Sequence, residues 1–139
     1  MARNTLAILS CSLGVMFAVH TASAIPSAGE HVVVNIKEQR LYLYRDGLPT
    51  FTTELSTGRR SLPTPRGEFY VSEKDAHHIS SIYHCAMHYY LRLSGEPFGI
   101  HYGENPGYPA SHGCIRVGKM RDAVYLFQVV PAGTAVTIE

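Results

Sequence analysis

The residues best suited to chemistry lie in one stretch, residues 99–117, which reads GIHYGENPGYPASHGCIRV. A cysteine that attacks a carbonyl needs a base, a partner that orients the base, and hydrogen-bond donors for the oxyanion. Cys114 is the candidate nucleophile, and His101 is the candidate base because a free thiol is only a few per cent thiolate at neutral pH. Gly113 leaves the backbone before Cys114 free to approach a substrate closely. The stretch therefore predicts covalent acyl-transfer chemistry.

The spacing of these residues resembles a known family. The pattern His-x9-Ser-His-Gly-Cys-Ile-Arg runs from His101 to Arg116, and Thr-Pro-Arg-Gly-Glu-Phe precedes it at residues 64–69. Together they resemble the YkuD-type L,D-transpeptidase catalytic domain, and the resemblance covers residues 31–139. The interval between His101 and Ser111 is short compared with members that carry longer loops.

The resemblance implies a role for each residue of the motif. Cys114 would be the nucleophile and His101 its base, and the backbone of Tyr102 would orient the imidazole. Amides near His112, Gly113 and Cys114 would form the oxyanion hole. For the His112 side chain the residues alone leave two roles open, a substrate contact or a contribution through its backbone only.

Substrate contacts are expected from side chains on both sides of the nucleophile. The candidates are Ser111, Arg116, Tyr83, Met87 and His88. Arg116 either binds a substrate carboxylate with its planar guanidinium or pairs with a nearby acid such as Glu104.

Residues 75–88 hold four histidines and Cys85, which invites a metal-site hypothesis. Their spacing matches no closed zinc motif, so we predict no metal and no other cofactor. The segment is instead predicted to be a polar surface loop from which Tyr83 and Met87 reach inward.

The N-terminus has the composition of an export signal. Arg3 is followed by an apolar run and then by Ala-Ser-Ala at residues 22–24, which predicts a secretory signal peptide over residues 1–24. A lipoprotein site at Cys11 is the alternative. We predict a linker over residues 25–30, one catalytic domain over 31–139, no stable membrane span, and a location in the periplasm or cell wall.

Charge and cysteine content lead to two further expectations. Without the predicted signal the chain carries 11 basic and 11 acidic side chains, which argues against nucleic acid. Cys85 and Cys114 remain, and an oxidising compartment favours a disulfide between them. Because that bond would consume the nucleophile, either both thiols stay reduced or oxidation inactivates the protein.

Apolar periodicity predicts a mainly β fold. Strands are expected at residues 31–36, 41–44, 51–58, 67–73 and 134–138. Residues 118–129 are expected to form a helix that packs through Met120, Ala123, Val124 and Phe127. Many short strands with one helix indicate a mixed β-sandwich with one or two peripheral helices.

A hairpin over residues 89–102 is expected to present His101. A turn at residues 94–97 would pair Leu93 with Phe98, Leu91 with Ile100, and Tyr89 with Tyr102. The opposite face then gathers His88, Tyr90 and Arg92 against Gly99, His101 and Gly103. His101 should therefore project from a polar face, between glycines that leave space for a substrate.

The resemblance also implies a reaction and its partners. The donor would be a peptidoglycan tetrapeptide stem, cleaved before its terminal D-alanine through a thioester. The acceptor would be an amine on another stem, on a wall-anchored lipoprotein or on a free D-amino acid, or else water. A hydrolytic carboxypeptidase and a non-catalytic wall-binding module are the alternatives.

Overall fold

The structure is a computed structural model that describes residues 29–139, and the predicted signal peptide and most of the predicted linker lie outside this range. Residues 29–139 form eight strands and one helix. In chain order these are β1 (Glu30–Asn35), β2 (Arg40–Arg45), β3 (Leu48–Ser56), β4 (Gly67–Ile79), β5 (Ala86–Leu93), β6 (Gly99–Tyr102), β7 (Ile115–Val117), α1 (Met120–Val129) and β8 (Ala135–Ile138).

The strands form one closed sheet in the order β1-β2-β3-β7-β6-β5-β4-β8. Two neighbouring pairs are parallel, β1 with β8 and β6 with β7. The tight β1–β2 and β2–β3 connections explain why these two strand pairs are antiparallel. Between β2 and β3, Asp46 and Gly47 both have positive φ, as a two-residue hairpin turn requires. The mainly β fold with one helix is thus confirmed.

Alternate strand residues fill the interior. Val32 and Val34 of β1 and Leu41 and Leu43 of β2 are fully buried, while the residues between them are half-buried. Burying a side chain of this size contributes about 1.5–3 kcal/mol relative to exposing it. This alternation is the pattern that predicted the first two strands.

The largest departure from the sequence prediction is at residues 75–88, which are not a surface loop. β4 continues to Ile79 and β5 begins at Ala86, so most of the segment forms a long antiparallel hairpin with His77 opposite His88. The polar side chains of this segment obscure the apolar alternation that would predict a strand. Aromatic rings make contacts between the two strands instead. The His78 ring, for example, stacks on Tyr90 at 4.2 Å between centroids.

The β5–β6 hairpin has the predicted register over part of its length. Leu91 lies opposite Ile100, and the Leu93 amide donates to the Phe98 carbonyl. The pairing of Tyr89 with Tyr102 was wrong. Tyr89 has a φ of +57°, which interrupts the regular strand, and its ring packs against Phe127 of α1 at 5.7 Å between centroids.

Helix α1 covers the closed sheet with a face that differs from the predicted one. Its buried residues are Asp122, Ala123 and Leu126, whereas Met120 is 45% exposed. Buried Asp122 is stabilised because its carboxylate accepts a 2.7 Å hydrogen bond from the Thr53 hydroxyl of β3. Within residues 29–139 no helix has the length and apolar character needed to cross a membrane.

Candidate active site

The parallel pairing of β6 with β7 brings His101 and Cys114 to one face. Ile100 lies opposite Ile115 and His101 opposite Arg116, and Cys114 immediately precedes β7. Because side chains alternate along a strand, His101, Cys114 and Arg116 project to the same side. All three line one cavity of about 440 Å³.

The backbone carbonyl of Tyr102 fixes the tautomer of the His101 ring. His101 Nδ1 lies 2.7 Å from that carbonyl oxygen, which can only accept, so Nδ1 carries the proton. Nε2 then presents a lone pair. It is buried and has no hydrogen-bond partner among the residues that the structure describes. The histidine is therefore prepared to accept a proton at Nε2.

Burial keeps His101 and Cys114 neutral at rest. Burial lowers the pKa of His101 to about 4, a shift opposed by the Tyr102 hydrogen bond and reinforced by the charge of Arg116. Burial also raises the pKa of the Cys114 thiol, while the Gly99 backbone amide and Arg116 act in the opposite direction. At rest the cavity thus holds a neutral imidazole and a neutral thiol.

The loop that carries Cys114 is held by hydrogen bonds from Ser111. Ser111 is fully buried; its hydroxyl donates to the Cys114 carbonyl at 2.5 Å and accepts from the Gly113 amide at 3.0 Å. The hydroxyl is therefore occupied by the loop itself. Gly113 has a φ of +123°, a conformation that favours glycine, and in this structure its amide points to Ser111.

Arg116 contributes a positive charge to the lining of the cavity. It is half-buried and, within residues 29–139, makes no ion pair with Glu104 or with any other acid. Gly103 provides the space for it, since a Cβ there would lie 3.2 Å from the Arg116 side chain. A Cβ at Gly99 would overlap the Leu91 carbonyl oxygen and would lie 2.9 Å from the Tyr90 side chain. The two glycines thus accommodate neighbouring protein atoms and not, as the sequence suggested, a substrate.

The β4–β5 hairpin forms the opposite side of the cavity. Tyr83 and Met87 line it, and the Tyr83 ring packs on exposed His112 at 4.7 Å between centroids. His88 is the predicted contact that the structure does not bring to this cavity. Its ring faces His77 at 6.2 Å, because the irregular backbone at Tyr89 breaks the alternation used to place it.

Cys85 and Cys114 line the same cavity and are both free thiols, the first exposed and the second buried. Among residues 29–139 no group of three His, Cys, Asp or Glu side chains is arranged to hold a metal ion.

Tyr90 is the neighbour of Cys114 for which sequence reasoning assigned no role. Its side chain is 2% exposed, and it lines a second, smaller cavity of about 80 Å³ that Cys114 also borders. Burial, reinforced by the nearby Cys114, raises the pKa of Tyr90 to about 12, so its hydroxyl stays protonated. The predicted polar face of the hairpin had already placed Tyr90 beside His101.

Comparisons with known proteins identify the family of the chain. The model of the L,D-transpeptidase catalytic domain (YkuD) matches residues 29–138. The chain is 33% identical over 111 residues to YkuD of Bacillus subtilis, which is assigned to the same family; the match covers 78% of this chain and 65% of YkuD. A second Bacillus subtilis relative, YciB, is 30% identical over 141 residues, covering 81% of this chain and 72% of YciB.

Solved L,D-transpeptidase structures share the fold. The enzyme from Xylanimonas cellulosilytica superposes with a TM-score of 0.73 at 28% identity, covering 80% of this chain and 60% of that one. The C442S mutant of the Enterococcus faecium enzyme gives 0.72 at 26% identity, covering 80% and 50%. The matches thus cover between 50% and 72% of the length of these relatives. From its sequence and its fold, the protein belongs to the L,D-transpeptidase catalytic domain family.

Proposed function

We propose that this protein is a cysteine-dependent L,D-transpeptidase that acts on peptidoglycan stem peptides. Cys114 attacks the carbonyl before the terminal D-alanine of a tetrapeptide donor. The acyl group then passes from the thioester to an amine acceptor, in cross-linking or remodelling of the cell wall.

Cys114 and His101 can perform each step of this reaction. As the Cys114 sulfur bonds to the carbonyl carbon, His101 Nε2 takes the thiol proton, and the carbonyl electrons move onto the oxygen. The imidazolium then gives that proton to the departing D-alanine nitrogen as the carbon–nitrogen bond breaks. In the second half, neutral His101 takes a proton from the incoming amine, and Cys114 leaves as thiolate and is reprotonated.

The observation that carries this proposal is the state of His101. Its Nδ1 is bound to a carbonyl, while its buried Nε2 has no partner in the described part of the chain and lies beside the Cys114 cavity. A structural histidine at 5% exposure normally satisfies both nitrogens. A buried acceptor that lacks a partner and lines the same cavity as the thiol is available to act as a general base.

The position of Arg116 supports the proposal that the donor substrate carries a carboxylate. Its guanidinium lines the cavity without an internal ion pair among residues 29–139, so it is available for a bidentate contact with a substrate carboxylate. A tetrapeptide stem carries several carboxylates. A solved relative at 27% identity is a carbamoyl enzyme formed with avibactam, which agrees with an acylated nucleophile in this family.

The test is incubation of the purified protein with a disaccharide tetrapeptide, followed by mass spectrometry. We expect a cross-linked dimer with loss of D-alanine, and no product with Cys114→Ala. A tripeptide without dimer would indicate hydrolysis, and unchanged substrate with folded protein would indicate a wall-binding role; either result contradicts the proposal.

We also propose that the protein acts outside the cytoplasmic membrane, in the periplasm or cell wall, where its donor lies. The predicted signal peptide supports this location. A wall-anchored lipoprotein with an accessible lysine is one amine acceptor that the proposal includes. Fractionation with the N-terminal sequence of the exported chain tests the location, and a start at residue 25 is the expected result.

A further inference from the structure

We propose that Thr64 is a positioning residue for the reaction, because its hydroxyl aims the backbone amide of Cys114 as an oxyanion donor. Thr64 lies in the connection between β3 and β4, more than thirty residues before the catalytic stretch. The inference rests on the proposed function and assigns one further residue to the same site.

Thr64 is a buried threonine whose hydroxyl makes two hydrogen bonds. It is 4% exposed, and Oγ1 accepts from the Gly58 amide at 2.8 Å and donates to the Gly113 carbonyl at 2.8 Å. An amide can only donate and a carbonyl can only accept, so the hydroxyl proton must point to Gly113. The contact is therefore a directed bond from Thr64 to the nucleophile loop.

The partner that orients Thr64 is itself fixed to the same loop. Gly58 and Ser111 form an isolated parallel bridge, and the Arg59 amide donates to the Ser111 carbonyl at 3.0 Å. The Thr57 carbonyl accepts from the Ala110 and Ser111 amides. The end of β3 thus provides a frame on which Thr64 reaches the residue before the nucleophile.

Holding the Gly113 carbonyl also sets the direction of the Cys114 amide. The two groups belong to one planar trans peptide, in which C=O and N–H point in opposite directions. Gly113 lacks a Cβ and has a φ of +123°, so its backbone allows this peptide to rotate more easily than another residue would. The Thr64 bond removes that freedom.

The neighbouring hydrogen bonds leave this amide for the substrate. Ser111 binds the Gly113 amide and the Cys114 carbonyl, and Thr64 binds the Gly113 carbonyl. None of these three bonds uses the Cys114 N–H. The two hydroxyls thus fix the backbone around a single amide, the one adjacent to the sulfur that would attack.

Two reagents separate this role from a general effect on the thiol. Imipenem acylates a cysteine through a tetrahedral oxyanion, whereas iodoacetamide alkylates it by displacement at a saturated carbon and builds no oxyanion. The variants are Thr64→Val, which removes the hydroxyl at nearly constant volume, and Thr64→Ser, which retains it. Thr53→Val is the matched control, because it also removes a buried, hydrogen-bonded threonine hydroxyl, but one that faces Asp122 of α1.

With Thr64→Val we expect imipenem acylation of Cys114 to slow at least tenfold, since loss of one oxyanion donor typically slows catalysis about 100- to 1,000-fold. Iodoacetamide alkylation should stay within twofold of wild type. Thr64→Ser should acylate within threefold of wild type, and Thr53→Val within twofold. If Thr64→Val does not fold by circular dichroism, Thr64→Ala is measured in its place with the same expectation.

Acylation of a folded, hydroxyl-free variant within twofold of wild type would overturn the inference, as would equal slowing with both reagents. Both results leave the proposed function intact. Wild-type protein that iodoacetamide alkylates but imipenem never acylates would contradict the proposed function and this inference together.

Discussion

The cavity around Cys114 has two walls of opposite character. The catalytic wall, residues 99–103 and 111–117, is mostly buried and is fixed by the β6–β7 ladder and the Ser111 hydroxyl. The hairpin wall, residues 79–87, is mostly exposed, with Ile79 at 68% and Ile82 at 63% exposure. Its turn is held mainly by its own hydrogen bonds, such as that from the Ser80 amide to the Cys85 carbonyl.

The contrast matches the two tasks of the proposed function, bond formation and contact with the cell wall. Bond formation depends on placement of the reacting groups within about 0.5 Å, which a buried and hydrogen-bonded backbone can provide. Contact with a large wall polymer tolerates adjustment, which an exposed hairpin allows. Changes in the catalytic wall should therefore affect the chemical step, and changes in the hairpin wall should mainly affect substrate affinity.

The two cysteines offer the sharpest test of this division, because they line one cavity from opposite walls. Cys114→Ala should lower turnover of disaccharide tetrapeptide by more than about 10⁴-fold, since the nucleophile is lost. Cys85→Ala should stay within about threefold. Turnover is followed by mass spectrometry. A large loss from Cys85→Ala would show that the hairpin wall takes part in the chemistry.

Buried His101 should make the stability of the catalytic wall depend on pH. Its pKa is about 4 when folded and about 6.5 when unfolded, so between these values the unfolded chain binds the extra proton. The contribution of His101 to the free energy of unfolding is fully present above pH 6.5 and falls by about 3 kcal/mol as the pH drops to 4. Urea denaturation of wild type and His101→Gln should show this difference. Parallel pH dependences in the two proteins would disprove it.

Arg116 should influence both binding and the base. Arg116→Gln should lower kcat/KM for a carboxylate-bearing stem by about 10- to 100-fold, the usual range for a hydrogen bond to a charged group. Because Arg116 lowers the pKa of His101, the variant should also raise that pKa. Exposed Arg66→Gln is the control. An unchanged kcat/KM would mean that the guanidinium does not meet the donor.

Substitution of Tyr83, which lies in the hairpin wall, should have the smallest effect of these variants. Tyr83→Ala removes a 44% exposed ring that packs on His112, and we expect KM to rise about three- to tenfold with kcat within twofold. Steady-state kinetics on the tetrapeptide measure both values. A drop in kcat larger than the rise in KM would contradict the assignment of affinity to this wall.

The sequence predicted the catalytic wall better than the hairpin wall for a physical reason. His101 belongs to β6 and Cys114 immediately precedes β7, and the face of His101 followed from the pairing of Leu91 with Ile100. The β4–β5 hairpin lacks clear apolar alternation, and the positive φ of Tyr89 cannot be read from residue types. His88 was misplaced for this reason.

Contacts between residues that are distant in the sequence also support the site, and these could not be predicted from local sequence patterns. Thr64 appeared in a recognisable motif, but its bond to Gly113 joins residues 49 positions apart. Such a contact depends on the closed sheet, which brings the β3–β4 connection beside the loop that carries Cys114. The burial of His101, and with it the low pKa, likewise follows from packing and not from neighbouring residues.

The most direct test of the central claim, a neutral His101 that deprotonates a neutral Cys114, is the pH dependence of Cys114 acylation by imipenem. We predict an acid limb with a midpoint near pH 4, constant rates from about pH 5 to beyond pH 8, and a loss of about 10³-fold without the limb in His101→Gln. A midpoint near 6.5, or a His101→Gln variant that acylates as fast as wild type, would contradict it.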